Sequence, residues 1–383
     1  MSDDEKSIAH QFVMEHDESW CRRMGYFNPY LDPFENHLEG DVPVYDSACF
    51  ESYPDHNFVY DKLWVASSQG IEAGTLVDLY GLPESEQPSF PIFVKPRWGH
   101  KTSGSKHCLK VSNRNELPSL NDAAKNDLMW SGFIAGREGM TDFVLVDGRT
   151  VYQMTHVYSP EQHSFADVWK LTSPSNRPPA PVEAWVAQNM TGFTGIVNVQ
   201  YRDETIIEVG LRPARTGAYF AATDNKALLR NISSVLATGE WEFVDDRALH
   251  YKPFYSFKCH TTAPIVYVWP QWILDGLMMT LTERPFYEYY PEPTGRKGMV
   301  FFQFMHDDLD EGRAACRLIE EAFYYTQQGI LVLWGVVCIF LVFNLPGKWV
   351  VAACALLVYA TQLLNPLSTH LRFHRARVAQ ANT

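Results

Sequence analysis

Residues 195–217 read GIVNVQYRDETIIEVGLRPARTG. Two apolar, β-branched runs, GIVNVQY and TIIEVGL, flank a short polar RDE turn, the pattern of two antiparallel strands joined tightly. Side chains on paired strands converge on one site, so Gln200 on the first strand and Glu208 on the second are placed to meet. A carboxylate beside an amide oxygen suits Mg²⁺, which takes hard oxygen ligands and shares them with nucleotide phosphates. Arg212 and Arg215 follow at once and are suited to neutralising a transferring phosphoryl group. Taken alone, the same residues more readily describe a surface hairpin with solvated charges, so the flanking sequence has to decide.

Upstream, PIFVKP (91–96) is a short apolar strand that carries Lys95. It opens into WGHKTSGSKH, a loop with Gly99, Ser103, Gly104, Ser105 and Lys106. Backbone N–H groups and small side chains let such a loop close over phosphates while lysines supply charge. The spacing is not that of a P-loop, and a Gly/Ser loop after a strand is by itself most often a plain hairpin. CLKV (108–111) reads as the returning strand. Residues 140–159 are rich in β-formers around Asp147–Gly148, a strong hairpin signal. Helices are expected at Asp122–Leu128, Val182–Met190 and Lys226–Leu236, with a surface loop, SPSNRPPAP (173–181), before the second.

These pieces, in this order, resemble the ATP-grasp superfamily. DKLWVASSQGIEAG (61–74) looks like the helix that opens that domain, and FPIFVKPRWGHKTSGS (90–105) like its lysine strand and phosphate loop. SGFIAGREGMTDFVLVDG (131–148) resembles the segment that usually reads QEFI-G-E-x-x-x-D. Residues 195–217 resemble the metal-binding hairpin, closest to the carbamoyl-phosphate-synthetase branch. The resemblance implies an α+β fold in which two α+β subdomains clasp a nucleotide. It implies ATP and Mg²⁺ as cofactors and a carboxylate and an amine as substrates. Carried over position by position, Lys95 would contact the α- and β-phosphates and Ser103 to Lys106 would cover the triphosphate. Glu138 would contact the ribose, Gln200 and Glu208 would hold Mg²⁺, and Arg212 would stabilise acyl-phosphate formation. The pattern is broken in two places: Gly210 stands where an Asn ligand is usual, and Ser131–Gly132 replaces the hinge Gln-Glu.

The rest of the chain adds context. With 383 residues, 46% of them hydrophobic, it can bury a sizeable core, and a net charge of -13 argues against general nucleic-acid binding. The seven cysteines are scattered without a CxxC pair and are expected to be reduced. The polar, acidic MSDDEKS start is not expected to be a signal or transit peptide. A helix is expected at Ser7–Met24, followed by an aromatic-rich wrapping segment. The expected boundaries are a shortened N-terminal segment at 1–60, the ATP-grasp-like domain at 61–249 and an accessory α+β segment at 250–326. The accessory segment ends in the strand GMVFFQFM and a helix at Asp310–Tyr324. Ile330–Phe343 and Trp349–Leu364 are uncharged apolar runs separated by NLPGK. They predict a transmembrane helical hairpin at 327–367, two spans in a lipid bilayer, with the N-terminal domain and the basic tail 368–383 (Arg372, Arg375, Arg377) cytoplasmic. On that topology Asn189 and Asn231, both in glycosylation patterns, stay unmodified.

Other motifs have plainer readings. HDDLDEG (306–312) lacks the spacing of a calcium loop and reads as acidic capping of a helix start. Cys259–His260 lacks further metal ligands, and His156 is expected to be a packed or exposed histidine. Two functions compete: an ATP- and Mg-dependent ligase acting through an acyl phosphate, and a non-catalytic ATP-grasp module with a structural or interaction role.

Overall fold

The computed structural model describes residues 42–43, 46–101, 107–163, 166–242, 249–261 and 299–344, with single positions at 346, 347, 349 and 353. These fall into two compact units. The first holds the described residues up to Gln162 and Asp167–Phe254, and the second holds His163, Ala166 and those from Tyr255 onward. The expected helix at Ser7–Met24 and the phosphate-loop residues Ser103, Gly104, Ser105 and Lys106 lie outside the described residues.

The first unit begins with helices α1 (Asp46–Ser52) and α2 (Lys62–Ser68). Strands β1 (Ala73–Thr75), β2 (Ile92–Pro96), β3 (Leu109–Val111) and β4 (Leu128–Gly132) form an antiparallel sheet in the order β1-β4-β2-β3. Helices α3 (Leu76–Gly81) and α4 (Leu120–Lys125) pack on it through Leu76, Leu79 and Ala123 against Ile92, Val94 and Trp130. Ser119 caps α4 by accepting from Asp122 N, which starts that helix earlier than expected.

A second sheet in the same unit holds β5 (Glu138–Val146), β6 (Arg149–Tyr158), β7 (Trp169–Thr172), β8 (Gly195–Arg202) and β9 (Thr205–Gly210). Their order is β9-β8-β5-β6-β7, all antiparallel, so among the described residues β9 is an edge. The Asp147–Gly148 turn forms as its sequence predicts, with φ of 50° and 74°, the left-handed pair of a tight hairpin. Strands β5 and β8 are buried on both faces, because α5 (Ala180–Asn189) and α1–α2 cover one side and α6 (Lys226–Thr238) packs on both strands. Asn225 caps α6 through Ala227 N and Leu228 N, and Gly239 ends it at φ 77°.

In the second unit β10 (Phe254–Thr261) pairs antiparallel with β11 (Met299–His306), the strand expected from GMVFFQFM. Helix α7 then runs over Leu309–Asn344 as one 36-residue element. Asp308 Oδ1 accepts from Asp310 N and Glu311 N at 2.9 Å each, so the acidic motif caps this helix. The calcium-loop alternative is not needed.

The membrane hairpin requires correction. Among the described residues no helix is long and apolar enough to cross a membrane. The run Ile330–Phe343 is the end of α7 and spans only about 21 Å, against about 30 Å of hydrocarbon. The part of α7 before it carries Asp310, Glu311, Arg313, Arg317, Glu320 and Glu321, and Gly312 lies so close to Phe257 of β10 that a Cβ would meet its ring at 2.2 Å. The two-span membrane localisation, with its cytoplasmic domain and tail and its lipid partner, is therefore set aside. The second run and the basic tail fall outside the described residues except for Trp349 and Ala353.

Candidate functional site

The site is built on the exposed edge of β9. An edge strand leaves backbone groups unpaired and has to cover them. Gln69, just after α2, bonds both groups of one residue: its Nε2 donates to Ile206 O at 2.9 Å and its Oε1 accepts from Ile206 N at 2.8 Å. At the next residue Lys95 of β2 takes over, with Nζ donating to Ile207 O at 2.6 Å. The lysine strand of one sheet thus reaches the hairpin of the other.

Glu208 follows on the same strand. Lys62 Nζ lies 3.1 Å from its Oε1, and the Lys62 side chain is almost fully buried. Asp61 fixes that lysine in place. It caps α2 through Leu63 N at 3.0 Å and takes a two-pronged contact from Arg97, at 2.9 Å from Nε and 2.6 Å from Nη2. Burial works against the Glu208 charge, yet Lys62 and Lys95 outweigh it and hold its carboxyl below the usual range. Burial, reinforced by the charge of Lys62, lowers Lys95 to about 8. His100 is lowered to about 4 by burial, then by Lys101 and Lys62, so its imidazole is neutral near pH 7.

Arg212 leaves the end of β9 between two pinned backbone positions. Leu211 N donates to Tyr60 Oη at 3.0 Å, and Ala214 N donates to the buried Asp142 carboxylate at 3.0 Å. Asn198 Nδ2 donates to the same carboxylate at 2.7 Å. The guanidinium Nη2 donates to Asp46 Oδ2 at 2.9 Å. Burial alone would weaken the arginine's charge, but Asp46 more than restores it and raises its pKa.

Gln200 stands directly opposite Glu208 in the β8–β9 register, the convergence its spacing predicts. Its Nε2 donates to Met140 Sδ at 3.9 Å. Together the two supply one carboxylate and one amide oxygen; Gly210 supplies nothing. Among the described residues no cluster of three His, Cys, Asp or Glu could hold a metal ion. Mg²⁺ is commonly bound by one or two carboxylates plus phosphates. The pair therefore fits an ion that arrives with a nucleotide, and not a cage made by the protein.

The remaining expectations divide. Glu138 lies two positions along the sheet from Met140, the β5 partner of Gln200, and its carboxylate accepts from Arg202 Nη2 at 3.1 Å. Arg215 falls in a short turn, Ala214–Gly217, and its side chain is outside the described residues. His156 is packed, as one of its two expected fates: it is fully buried, with Nδ1 2.8 Å from Thr172 Oγ1. Cys259 Sγ lies 3.4 Å from Cys316 Sγ, and both thiols are free. Asn231 is 1% exposed in α6.

Sequence reasoning missed Lys62, Asp46 and His100. Asp61–Lys62 was legible as a helix start, and the lysine at its first position was the available signal. Phe50 of α1 stacks on His100 with centroids 3.7 Å apart; no spacing in the chain announces that contact.

No family model matches the chain, and no curated protein matches it. Among solved structures it is similar to an L-amino acid ligase from Bacillus licheniformis, at 16% identity and TM-score 0.45, over 68% of this chain and 69% of that one. It is also similar to an N5-carboxyaminoimidazole ribonucleotide synthetase from Thermus thermophilus, at 15% identity and TM-score 0.43, over 80% and 82% of the two chains. A phosphoribosylglycinamide synthetase from Anaerococcus prevotii matches at 12% identity and TM-score 0.39, over 72% and 77%.

Proposed function

We propose that the first unit is an ATP-grasp-type nucleotide site and that the protein is an ATP-dependent ligase joining a carboxylate to an amine or similar nucleophile. The observation that carries this reading is the convergence of Lys62, Lys95, Glu208 and Arg212 from three separate segments onto one strand edge. Lys95 uses one of its three donors on Ile207 O, which leaves two for phosphate oxygens. Lys62 offers its charge beside Glu208, 3.1 Å from its Oε1. Ser103 to Lys106, outside the described residues, would close over the triphosphate, and Glu138 would face the ribose. Gln200 and Glu208 would hold a Mg²⁺ that arrives with the nucleotide, and the ion would supply charge neutralisation.

In the reaction a substrate carboxylate oxygen bonds to the γ-phosphorus while the bond from that phosphorus to the β-phosphate bridging oxygen breaks, releasing ADP. The amine then attacks the acyl carbon, inorganic phosphate leaves, and the nitrogen gives up a proton. Arg212, its backbone pinned on both sides, is placed to stabilise charge on the transferring group, with Arg215 as a second candidate.

One observation favours a second reading, a non-catalytic nucleotide-binding module: Glu208 and Arg212 already hold internal counter-ions, Lys62 and Asp46. ADP release with a panel of carboxylates and amines separates the two. Wild type should release ADP; Glu208→Gln should abolish release while only modestly weakening ATP binding. Rates for both at the level of a no-enzyme blank, with ATP still bound, would leave the binding module as the better account.

A further inference from the structure

Gly210 breaks the resemblance in a position whose backbone does not ask for glycine, since its φ is outside the left-handed region among the described residues. A side chain there would crowd the end of the flexible Asp46 side chain, which would have to shift. A Cβ there would meet Asp46 Oδ1 at 2.9 Å, a distance real side chains do not adopt. The other oxygen of that carboxylate, Oδ2, accepts from Arg212 Nη2 at 2.9 Å. Asp46 therefore fills the volume a side chain at 210 would need, and it does so while neutralising the arginine two residues on.

Asp46 is delivered by a helix that touches both halves of the site. It is the first residue of α1, and α1 also sends Phe50 onto His100, at the start of the loop after β2. Cys49 and Tyr60 sit behind it in the core. The carboxylate itself is only partly buried, with 27% of its side chain exposed against 25% for Arg212. An ion pair open to solvent on one side is weak and exchangeable, unlike the sealed Asp142 carboxylate beside it.

We propose that Asp46 is an internal occupant of the Arg212 anion position, a carboxylate that an incoming phosphoryl or carboxylate group must displace. The inference rests on the proposed site for the role of Arg212, and it makes Asp46 a determinant of which anions can bind: only those that outcompete a tethered carboxylate. The exchange is one of ion pairs, with no bond made or broken.

The test uses inorganic pyrophosphate as probe and the full-length protein, read by titration calorimetry. Asp46→Asn keeps the shape and removes the charge, and should tighten pyrophosphate by about tenfold, the scale of one charge-assisted contact freed for the ligand. In an Arg212→Ala background the same change should do nothing. Gly210→Ala forces the Asp46 oxygen aside and should tighten binding in the same direction, with no further gain when combined with Asp46→Asn. A residue that merely holds structure would give the opposite sign. Unchanged or weaker pyrophosphate binding in both Asp46→Asn and Gly210→Ala overturns the proposal. If ATP binding proves independent of Lys95 while Asp46→Asn still tightens pyrophosphate through Arg212, the nucleotide reading fails and this one stands.

Discussion

If the proposed nucleotide site holds, the depressed pKa of Lys95 makes binding there pH-dependent in a window where a typical lysine would be silent. Burial, then the Lys62 charge, lowers it from 10.5 to about 8. An anionic phosphate binds the protonated lysine, so binding pulls its pKa back up. Affinity is therefore full below about pH 8 and falls as pH rises through that value, approaching tenfold per unit. The fall ends where the bound-state pKa is reached. A charge-assisted contact worth about 1.5–3 kcal/mol corresponds to a total loss of about ten- to a hundredfold. The nucleotide's own phosphates, with a last pKa of about 6, are already ionised throughout. The assay is displacement of a fluorescent nucleotide between about pH 7 and 10 at constant ionic strength. Lys95→Arg stays charged across the range and should flatten the profile, so the inflection can be assigned. An inflection near 10.5, or a wild-type profile as flat as that of Lys95→Arg, would refute a buried lysine at the phosphates.

Two further outcomes concern stability. Lys95→Ala leaves Ile207 O without its described partner, and should lower unfolding free energy without nucleotide by about 0.5–1.5 kcal/mol, read from urea midpoints; an unchanged midpoint would show that water replaces the lysine at no cost. Gly148→Ala combines a φ of 74° with a Cβ 2.8 Å from Gly192 N, backbone that cannot rotate away, and should cost about 1–3 kcal/mol; a midpoint within error of wild type would refute the strain at that turn.

The hairpin 195–210 and the Asp147–Gly148 turn were legible because their signals are local. Alternating β-branched residues and a turn pair able to adopt positive φ determine both strands without reference to anything distant. Local signals also explain the small errors. Ser119 three residues before Asp122 is a cap that moves the start of α4 back to Leu120, and Pro181 in the first turn does the same for α5. The continuous α7 was harder, because Gly329 lowers helix propensity without breaking the helix. Apolar content at 330–343 suggested a span. The structure instead makes that run the end of α7, whose first half is polar and packs on Phe257 of β10, which periodicity could not reveal. Of the candidate site, the residues on β2, β8 and β9 were readable. Asp46 and Lys62 were not, since their partners lie 166 residues away for Asp46 and on another element for Lys62.

Those unread partners bear most on function. Three cations around β9 carry an anion from within the chain: Lys62 has Glu208, Arg212 has Asp46, and Arg97 has Asp61, while Lys95 bonds a backbone carbonyl. On a chain of net charge -13, such pairing keeps a cluster of buried or half-buried cations tolerable before any ligand arrives, since unpaired charges in that position would cost several kcal/mol each. The pairs are unequal. Arg97 holds Asp61 with two contacts and anchors a helix start, so it is the one least able to exchange. Lys62–Glu208 and Arg212–Asp46 are single contacts with one partner open to solvent. A monoanion gains little by replacing one carboxylate with another of equal charge. A polyphosphate offers several charged oxygens at once and can engage Lys62, Lys95 and Arg212 together. On the proposed function, selectivity for a nucleotide over a simple anion would then follow from the counter-ions themselves, without a pocket that is basic in the ligand's absence.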